Sequence, residues 1–149
     1  PRASIVKKEL GNLTVKVEIQ DEETDTIQTL HDVKRRYEYL KYKQKEHLYA
    51  VFLNNSNRFI ADKLIGLGTR DSVGFDLQDL IRTAAITNAG AVILVHNHPS
   101  GKPGATQKDI ETTKDANKIL EKIDVKLLDH VIIAKDSDHS MRQSNDDSF

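Results

Sequence analysis

The sequence contains no cysteine. That excludes a disulfide framework, a thiolate metal site and a cysteine nucleophile. A metal held by this chain must therefore rest on imidazole and carboxylate, a donor set that suits zinc and admits other divalent transition metals. No apolar run reaches the ~20 residues that cross a bilayer, and no basic-then-apolar segment opens the chain. The expected setting is cytoplasmic, with no membrane partner. An excess of one charge is also missing: 22 Lys and Arg stand against 23 Asp and Glu, a net charge of −1. No global field draws such a chain toward nucleic acid. Internal repeats and an interdomain linker are absent as well.

What is present is a soluble globular balance, 38% hydrophobic and 30% charged over 149 residues, enough for one domain with a sizeable core. Charge is uneven locally. Lys34, Arg35, Arg36, Lys41, Lys43 and Lys45 make residues 34–45 basic, either a solvated helix face or a stripe that binds phosphates, and so a possible contact with DNA.

Periodicity gives the elements. Residues 12–20 alternate, with Val15, Val17 and Ile19 on one side, and read as a half-exposed strand; residues 1–20 fit an added hairpin outside the main core. An acidic turn at 21–25 leads into an amphipathic helix over 26–42, with Thr24 or Asp25 as its cap. Strands at 47–53 and 58–65 flank the turn residues Asn54–Asn57, and Gly66 and Gly68 punctuate the end of the second. A helix over 76–88 ends at Asn88-Ala89-Gly90. The run AVILV at 91–95 reads as a strand buried on both faces. After the Pro- and Gly-rich loop 97–105 come a helix from Thr106 to about Lys122 and a last strand over 125–134. Beyond Lys135 the chain turns polar, with a frayed stretch at 144–147. Alternating strands and helices from residue 47 onward, with one antiparallel hairpin, predict an α/β fold with a mixed central sheet flanked by helices. We divide the chain into an N-terminal extension (1–45) packing on or belonging to the same domain, a main domain (46–140) and a polar tail (141–149).

The chemistry concentrates in His96-Asn97-His98-Pro99-Ser100-Gly101, followed by Thr106 and Asp109. His96 and His98 are two residues apart just past a buried strand, so extended backbone puts both rings on one side. Asp109 falls in the first turn of the next helix, where an ionised carboxylate is favoured. Three protein ligands leave one tetrahedral position for water, the arrangement of a catalytic zinc site. A proton carrier is then required, and Glu46 is the candidate. It precedes the strand 47–53, and if that strand neighbours 91–95 the two must run antiparallel for Glu46 to reach His96. The Thr106 hydroxyl is placed to donate to a developing oxyanion. Each residue also has a plainer reading: two loop histidines, a surface glutamate, and a capping box in which Thr106 caps the helix and Asp109 only satisfies backbone N–H groups.

His96-x-His98-Pro99 with Thr106-x-x-Asp109 resembles the JAMM motif of the JAB/MPN superfamily. The string VHNHPSGKPGATQKD at 95–109, with NAGAVIL before it and LLDHVIIA after it, is similar to the RadC group within it, over roughly residues 45–135. The resemblance implies a cytidine-deaminase-like architecture, His96, His98 and Asp109 as ligands of one zinc ion, and Glu46 as the catalytic glutamate. Deaminase chemistry does not carry over, because its HxE and cysteine ligands are missing. Departures are Ala105-Thr106 where the group has Pro-Ser, Gly74-Phe75-Asp76-Leu77 in place of an HPRE-like segment, and no evident helix-hairpin-helix module in residues 1–45. Asp129 and His130 match the group's Asp-His pair near the last strand, either as core hydrogen-bonding groups or as groups orienting a ligand imidazole.

The resulting expectation is a zinc metallopeptidase or isopeptidase acting on a protein or peptide. A second reading is a DNA repair or recombination factor, either a metal-dependent nuclease or an accessory DNA-binding protein. A third is a non-catalytic MPN scaffold. The sequence leaves the substrate and the oligomeric state open.

Overall fold

A computed structural model describes residues 27, 29–68, 75–144 and 149, together with the backbone of 3–10 and 13–20. In chain order the elements are β1 (Ala3–Leu10), β2 (Leu13–Gln20), α1 (Leu30–Tyr37), β3 (His47–Leu53), β4 (Phe59–Leu67), α2 (Leu77–Thr87), β5 (Ala91–Asn97), α3 (Gln107–Glu121), β6 (Lys126–Ile133) and β7 (Asp138–Ser140). The strands β1 and β2 form a separate antiparallel hairpin, while the main sheet has the order β4-β3-β5-β6-β7. Only β5 and β6 run parallel, joined through α3, and every other pair in the sheet is antiparallel. The mixed sheet expected from the sequence is therefore present.

Alternation along the strands explains the layering. Leu48, Ala50 and Phe52 of β3 and Val92 and Leu94 of β5 pack with Leu80 and Ala84 of α2 and Ala116 and Leu120 of α3. The intervening residues Val51, Leu53, Ala91, Ile93 and Val95 pack on the other face with Val33 and Tyr37 of α1 and Leu40. Both faces of β5 are buried along its whole length, as its unbroken apolar run requires. Each fully buried large side chain here contributes about 1.5–3 kcal/mol.

Local chemistry sets the element ends. Asp76 accepts from the Asp79 N–H at 3.0 Å and starts α2. Asn88 ends it in the left-handed region at φ 53°, a conformation Asn tolerates better than most residues. Asn54 Oδ1 accepts from the Ser56 and Arg58 N–H groups at 2.8 and 3.0 Å, building the β3–β4 turn.

Several expectations need correction. The helix expected over 26–42 begins at Leu30 and passes into a 3-10 turn at Glu38–Tyr42. Its cap is Thr29, whose N–H donates to Asp32 Oδ2 at 3.1 Å; the acidic run 21–25, with Thr24 and Asp25, lies outside the described residues. Gly66 does not end β4 but pairs with Leu48 inside it. Strand β5 runs on to Asn97, so His96 lies within the strand rather than after it. The polar stretch beyond Lys135 holds a further strand, β7, followed by Met141, which is fully buried. All three residues of β7 are polar, which conceals so short an edge strand, and residues 145–148 lie outside the described set. Among the described residues no helix is long and apolar enough to cross a membrane.

Gly90 links α2 to β5 tight against Asn55. Its N–H donates to Leu53 O at 2.8 Å and its carbonyl accepts from Lys126 N at 3.2 Å. A Cβ there would lie 2.0 Å from Asn55 Oδ1 and 3.2 Å from the Asn55 backbone nitrogen, whereas one at Gly104 would meet nothing within 4 Å. Gly90→Ala, which makes the exposed Asn55 side chain swing aside and its backbone give by a few tenths of an ångström, is expected to cost about 1 kcal/mol in urea unfolding, and Gly104→Ala less than about 0.5 kcal/mol.

Candidate metal centre

Register decides which side chains meet. Strand β3 pairs antiparallel with β5, Leu48 opposite His96, which meets the geometric demand set by Glu46. Period two then puts Glu46 on the face shared by Leu48, His96 and His98. The Glu46 carbonyl accepts from Gly68 N at 2.9 Å on the β4 side. On the β5 side the side chain of Asn97 takes over the role of a strand partner. Its Oδ1 accepts from His47 N at 2.7 Å and its Nδ2 donates to Lys45 O at 3.1 Å. Asn97, which sequence reasoning passed over, thus grips the backbone on both sides of Glu46 from its position between the two histidines. Its place in the HxH spacer was the one available signal.

The three expected ligands converge. His96 Nε2 lies 2.8 Å from His98 Nε2 and 3.2 Å from Asp109 Oδ1, and His98 Nε2 lies 3.1 Å from Asp109 Oδ2. An ion with ~2.1 Å bonds spreads its ligands to roughly 3.4 Å in a tetrahedron, so the cluster is near the required size. All three side chains are buried, and among the described residues they form a group that can hold a metal ion. The chemistry of the donors fits as well. His98 Nδ1 lies 2.7 Å from Lys102 O; a carbonyl only accepts, so that nitrogen carries the proton and, in the neutral ring, Nε2 turns a lone pair toward the centre. Asp109 combines both readings offered for it. Its Oδ2 accepts from Thr106 N at 2.8 Å, and Thr106 Oγ1 accepts from Asp109 N at 3.1 Å. The same capping box aims the carboxylate at the imidazoles.

Electrostatics points the same way. Burial pushes Asp109 up, but its close contacts with His96 and His98, the His96 charge and the Thr106 N–H hold it far below the usual carboxylate range. For His98, burial is outweighed by the bond to Asp109, the Lys102 carbonyl and the charges of Asp109 and Glu46, and its pKa rises. For His96, complete burial prevails over Asp109 and the pKa falls. The centre attracts positive charge but gives His96 little reason to supply it.

Glu46, His98, Ser100, Lys102, Gly104, Ala105 and Thr106 line one cavity of about 450 Å³ beside the ligands. Glu46 is itself buried. The structure therefore gathers all five residues expected at the site. Asp129 and His130 part company. Asp129 accepts from His130 N at 2.7 Å, from Arg142 N at 3.0 Å and from the Ser140 hydroxyl, tying β6 to β7. His130 points to the ligands, with its Nε2 2.6 Å from His96 Nδ1.

The grip of Asn97 has a measurable consequence. Asn97→Ala deprives the His47 N–H and the Lys45 carbonyl of their partner and is expected to cost about 1–3 kcal/mol in urea unfolding. Asn97→Asp, which keeps an acceptor for His47 but loses the donor to Lys45, should also be destabilised.

Comparison with known proteins agrees with this geometry. The sequence model of the RadC-like JAB domain matches residues 27–146. A UPF0758 protein of Desulforudis audaxviator is 37% identical over 105 residues, covering 70% of this chain and 46% of the relative. One from Carboxydothermus hydrogenoformans is 34% identical over 110 residues, covering 71% and 49%, and one from Vibrio atlanticus 36% identical over 94 residues, covering 63% and 42%. The chain spans about half the length of the curated relatives it matches. A matching domain over most of the chain, an α/β fold with a mixed sheet, and a buried His-His-Asp group at the motif's positions lead to one assignment: the chain belongs to the RadC-like JAB domain family.

Proposed function

We propose that this domain is a zinc-dependent hydrolase of peptide or isopeptide bonds, with His96, His98 and Asp109 as ligands and Glu46 as general base. The observation that carries this reading is the shared cavity. Glu46, buried and carrying no ligand role, opens into the same 450 Å³ space as His98 and Thr106. When bound, zinc supplies Lewis acidity and lowers the pKa of a water toward ~7. The chain's own residues do the rest. Glu46 takes a proton from the attacking water and delivers it to the leaving amine nitrogen as the C–N bond breaks, giving a carboxylate and an amine. The Thr106 oxygen accepts from Asp109 N, which leaves its O–H as the donor toward the carbonyl oxygen of the substrate. Asn97 holds the backbone from which Glu46 projects.

The test is a fluorogenic peptide panel and a ubiquitin-like conjugate, each with zinc-loaded protein. Chelator should abolish cleavage, and Glu46→Gln should lower turnover about 10²–10⁴-fold while retaining one zinc per chain. Unchanged turnover in Glu46→Gln would remove Glu46 from the mechanism.

A second reading has its own support: an open groove of about 790 Å³ lined by Lys41, Tyr42, Lys43, Gln44, Lys45, Pro99 and Lys135. It adjoins the 97–105 loop at Pro99, and Tyr42 is 83% exposed, so lysines for phosphates and a ring for base stacking lie together. Other basic residues of the stripe are engaged locally: Lys34 with Asp138, Arg35 with Asp32, Lys41 with Glu38, and Arg36 over the Phe59 ring. On this reading the domain engages single-stranded nucleic acid. Lys43, Lys45 and Lys135 changed together to Ala should weaken binding and reduce its salt dependence by a slope of roughly 2. Binding of the triple variant indistinguishable from the parent across a salt series would eliminate the groove.

A further inference from the structure

We infer that His130 and Thr113 form a positioning relay that fixes the ring proton of His96 and so presents its Nε2 to the metal. This rests on the assignment of His96 as a ligand, and it concerns two residues outside that ligand set.

The chain of contacts is buried throughout. Thr113 Oγ1 lies 2.7 Å from Asp109 O and 2.7 Å from His130 Nδ1, and His130 Nε2 lies 2.6 Å from His96 Nδ1. A backbone carbonyl only accepts, so the single hydroxyl proton of Thr113 goes to Asp109 O; Met141 Sδ, 3.6 Å away, is the weaker alternative. Thr113 Oγ1 therefore accepts from His130, which puts the proton on His130 Nδ1. A neutral imidazole carries one ring proton, so His130 Nε2 has a lone pair and must receive the proton of His96 Nδ1. His96 Nε2 is then unprotonated and faces His98 Nε2 and Asp109. Each step as far as His96 Nδ1 follows from avoiding two lone pairs, or two protons, at hydrogen-bond distance; beyond it the lone pairs of His96 Nε2 and His98 Nε2, 2.8 Å apart, require a cation between them. The relay begins at the main-chain carbonyl of Asp109, the residue whose side chain is itself a ligand, so α3 carries both a ligand and the anchor of the proton order.

His130 reaches this position through an irregularity in β6. Val92 pairs with Leu127, but Ile93 pairs with Asp129, so Leu128 is an extra residue in the strand. Leu127 packs on the α3 face and Leu128 on the α1 face. Without the extra residue, strict alternation would turn His130 away from α3. The Asp129 bonds to His130 N, Arg142 N and Ser140, and the Arg142 guanidinium bond to Leu128 O, hold the bulge.

The experiment compares zinc affinity, by competition with a chromophoric chelator, in the parent protein, Thr113→Val, Thr113→Ser and His130→Phe. Circular dichroism of each reports the fold. Thr113→Val and His130→Phe should bind zinc about 10–100-fold more weakly, and Thr113→Ser within about 3-fold of the parent, because it restores the hydroxyl. Long-range ¹H–¹⁵N spectra of the histidine rings in the parent protein give an independent readout: both His96 and His130 should carry their proton on Nδ1. Parent-level zinc affinity in folded Thr113→Val, or a His96 ring protonated on Nε2, overturns the relay. If Thr113→Val does not fold, the ring spectra of the parent still decide. Failure of the parent protein to take up zinc would overturn the metal reading instead; the His130 ring of the metal-free protein, whose Nδ1 proton is set by Thr113, then judges the relay separately, and a His130 protonated on Nε2 overturns it.

Discussion

The pairing of β3 with β5 governs the site. These two central strands lead into Glu46 on one side and the His96–His98 pair on the other, and the antiparallel register puts the start of one beside the end of the other. Shifting the pairing by one residue would turn Glu46 to the α1 face, away from the histidines. The register is secured by apolar side chains on both faces, since Leu48, Ala50, Phe52, Val92 and Leu94 pack on one side and Val51, Leu53, Ile93 and Val95 on the other. Asn97 extends the pairing past the point where main-chain bonds to β5 would end. The interior that stabilises the domain is thus the same structure that sets the separation between Glu46 and the ligands.

Convergence of acceptors in a buried place is costly unless a positive charge joins them. The costs here are shared among groups that have other duties. Asp109 belongs to the cap of α3, where its Oδ2 accepts from a backbone N–H that would otherwise lack a partner. His98 is fixed from behind by the Lys102 carbonyl. The fall of the Asp109 pKa and the rise of the His98 pKa are two sides of their mutual contact, each group favouring the charged form of the other. Capping and ligation are therefore not competing explanations of Asp109. The cap orients the carboxylate, and the carboxylate oxygen oriented by it is within reach of the imidazoles.

Much of this was legible in the sequence because it rests on short-range patterns. The apolar run at 91–95, the HxHP step, the small-residue loop and the hydroxyl-x-x-Asp triplet each report local geometry, and the antiparallel demand followed from the place of Glu46 before its strand. What escaped depends on contacts distant in sequence or on a break in period. Asn97 looks like a spacer until its partners at Lys45 and His47 are known. Leu128 looks like one apolar residue among several, yet as an insertion it changes the parity of everything after it, so periodicity could not separate Asp129 from His130. Strand β7 is three residues long and polar, and forms because the edge of β6 and the Asp129 clamp receive it. The start of α1 was misplaced because the apolar spacing continues upstream through Ile27, which is buried in the core without being helical.

The loop from Ser100 to Thr106 shapes the cavity and also holds the centre together. Its Lys102 carbonyl sets the proton on His98, its last residue caps the helix that carries Asp109, and Gly101 turns at φ 84°, a backbone conformation that a side chain would strain. A change in this loop therefore disturbs the centre where it moves the main chain and spares it where it alters only side chains. A change that reshapes the wall at Ser100, Gly104 or Ala105 leaves the ligand supports intact, whereas one that shifts the backbone at Lys102 disturbs a ligand. Within the loop, the side chains are open to variation for recognition, and the main chain at Lys102 and Thr106 is held by the centre it supports.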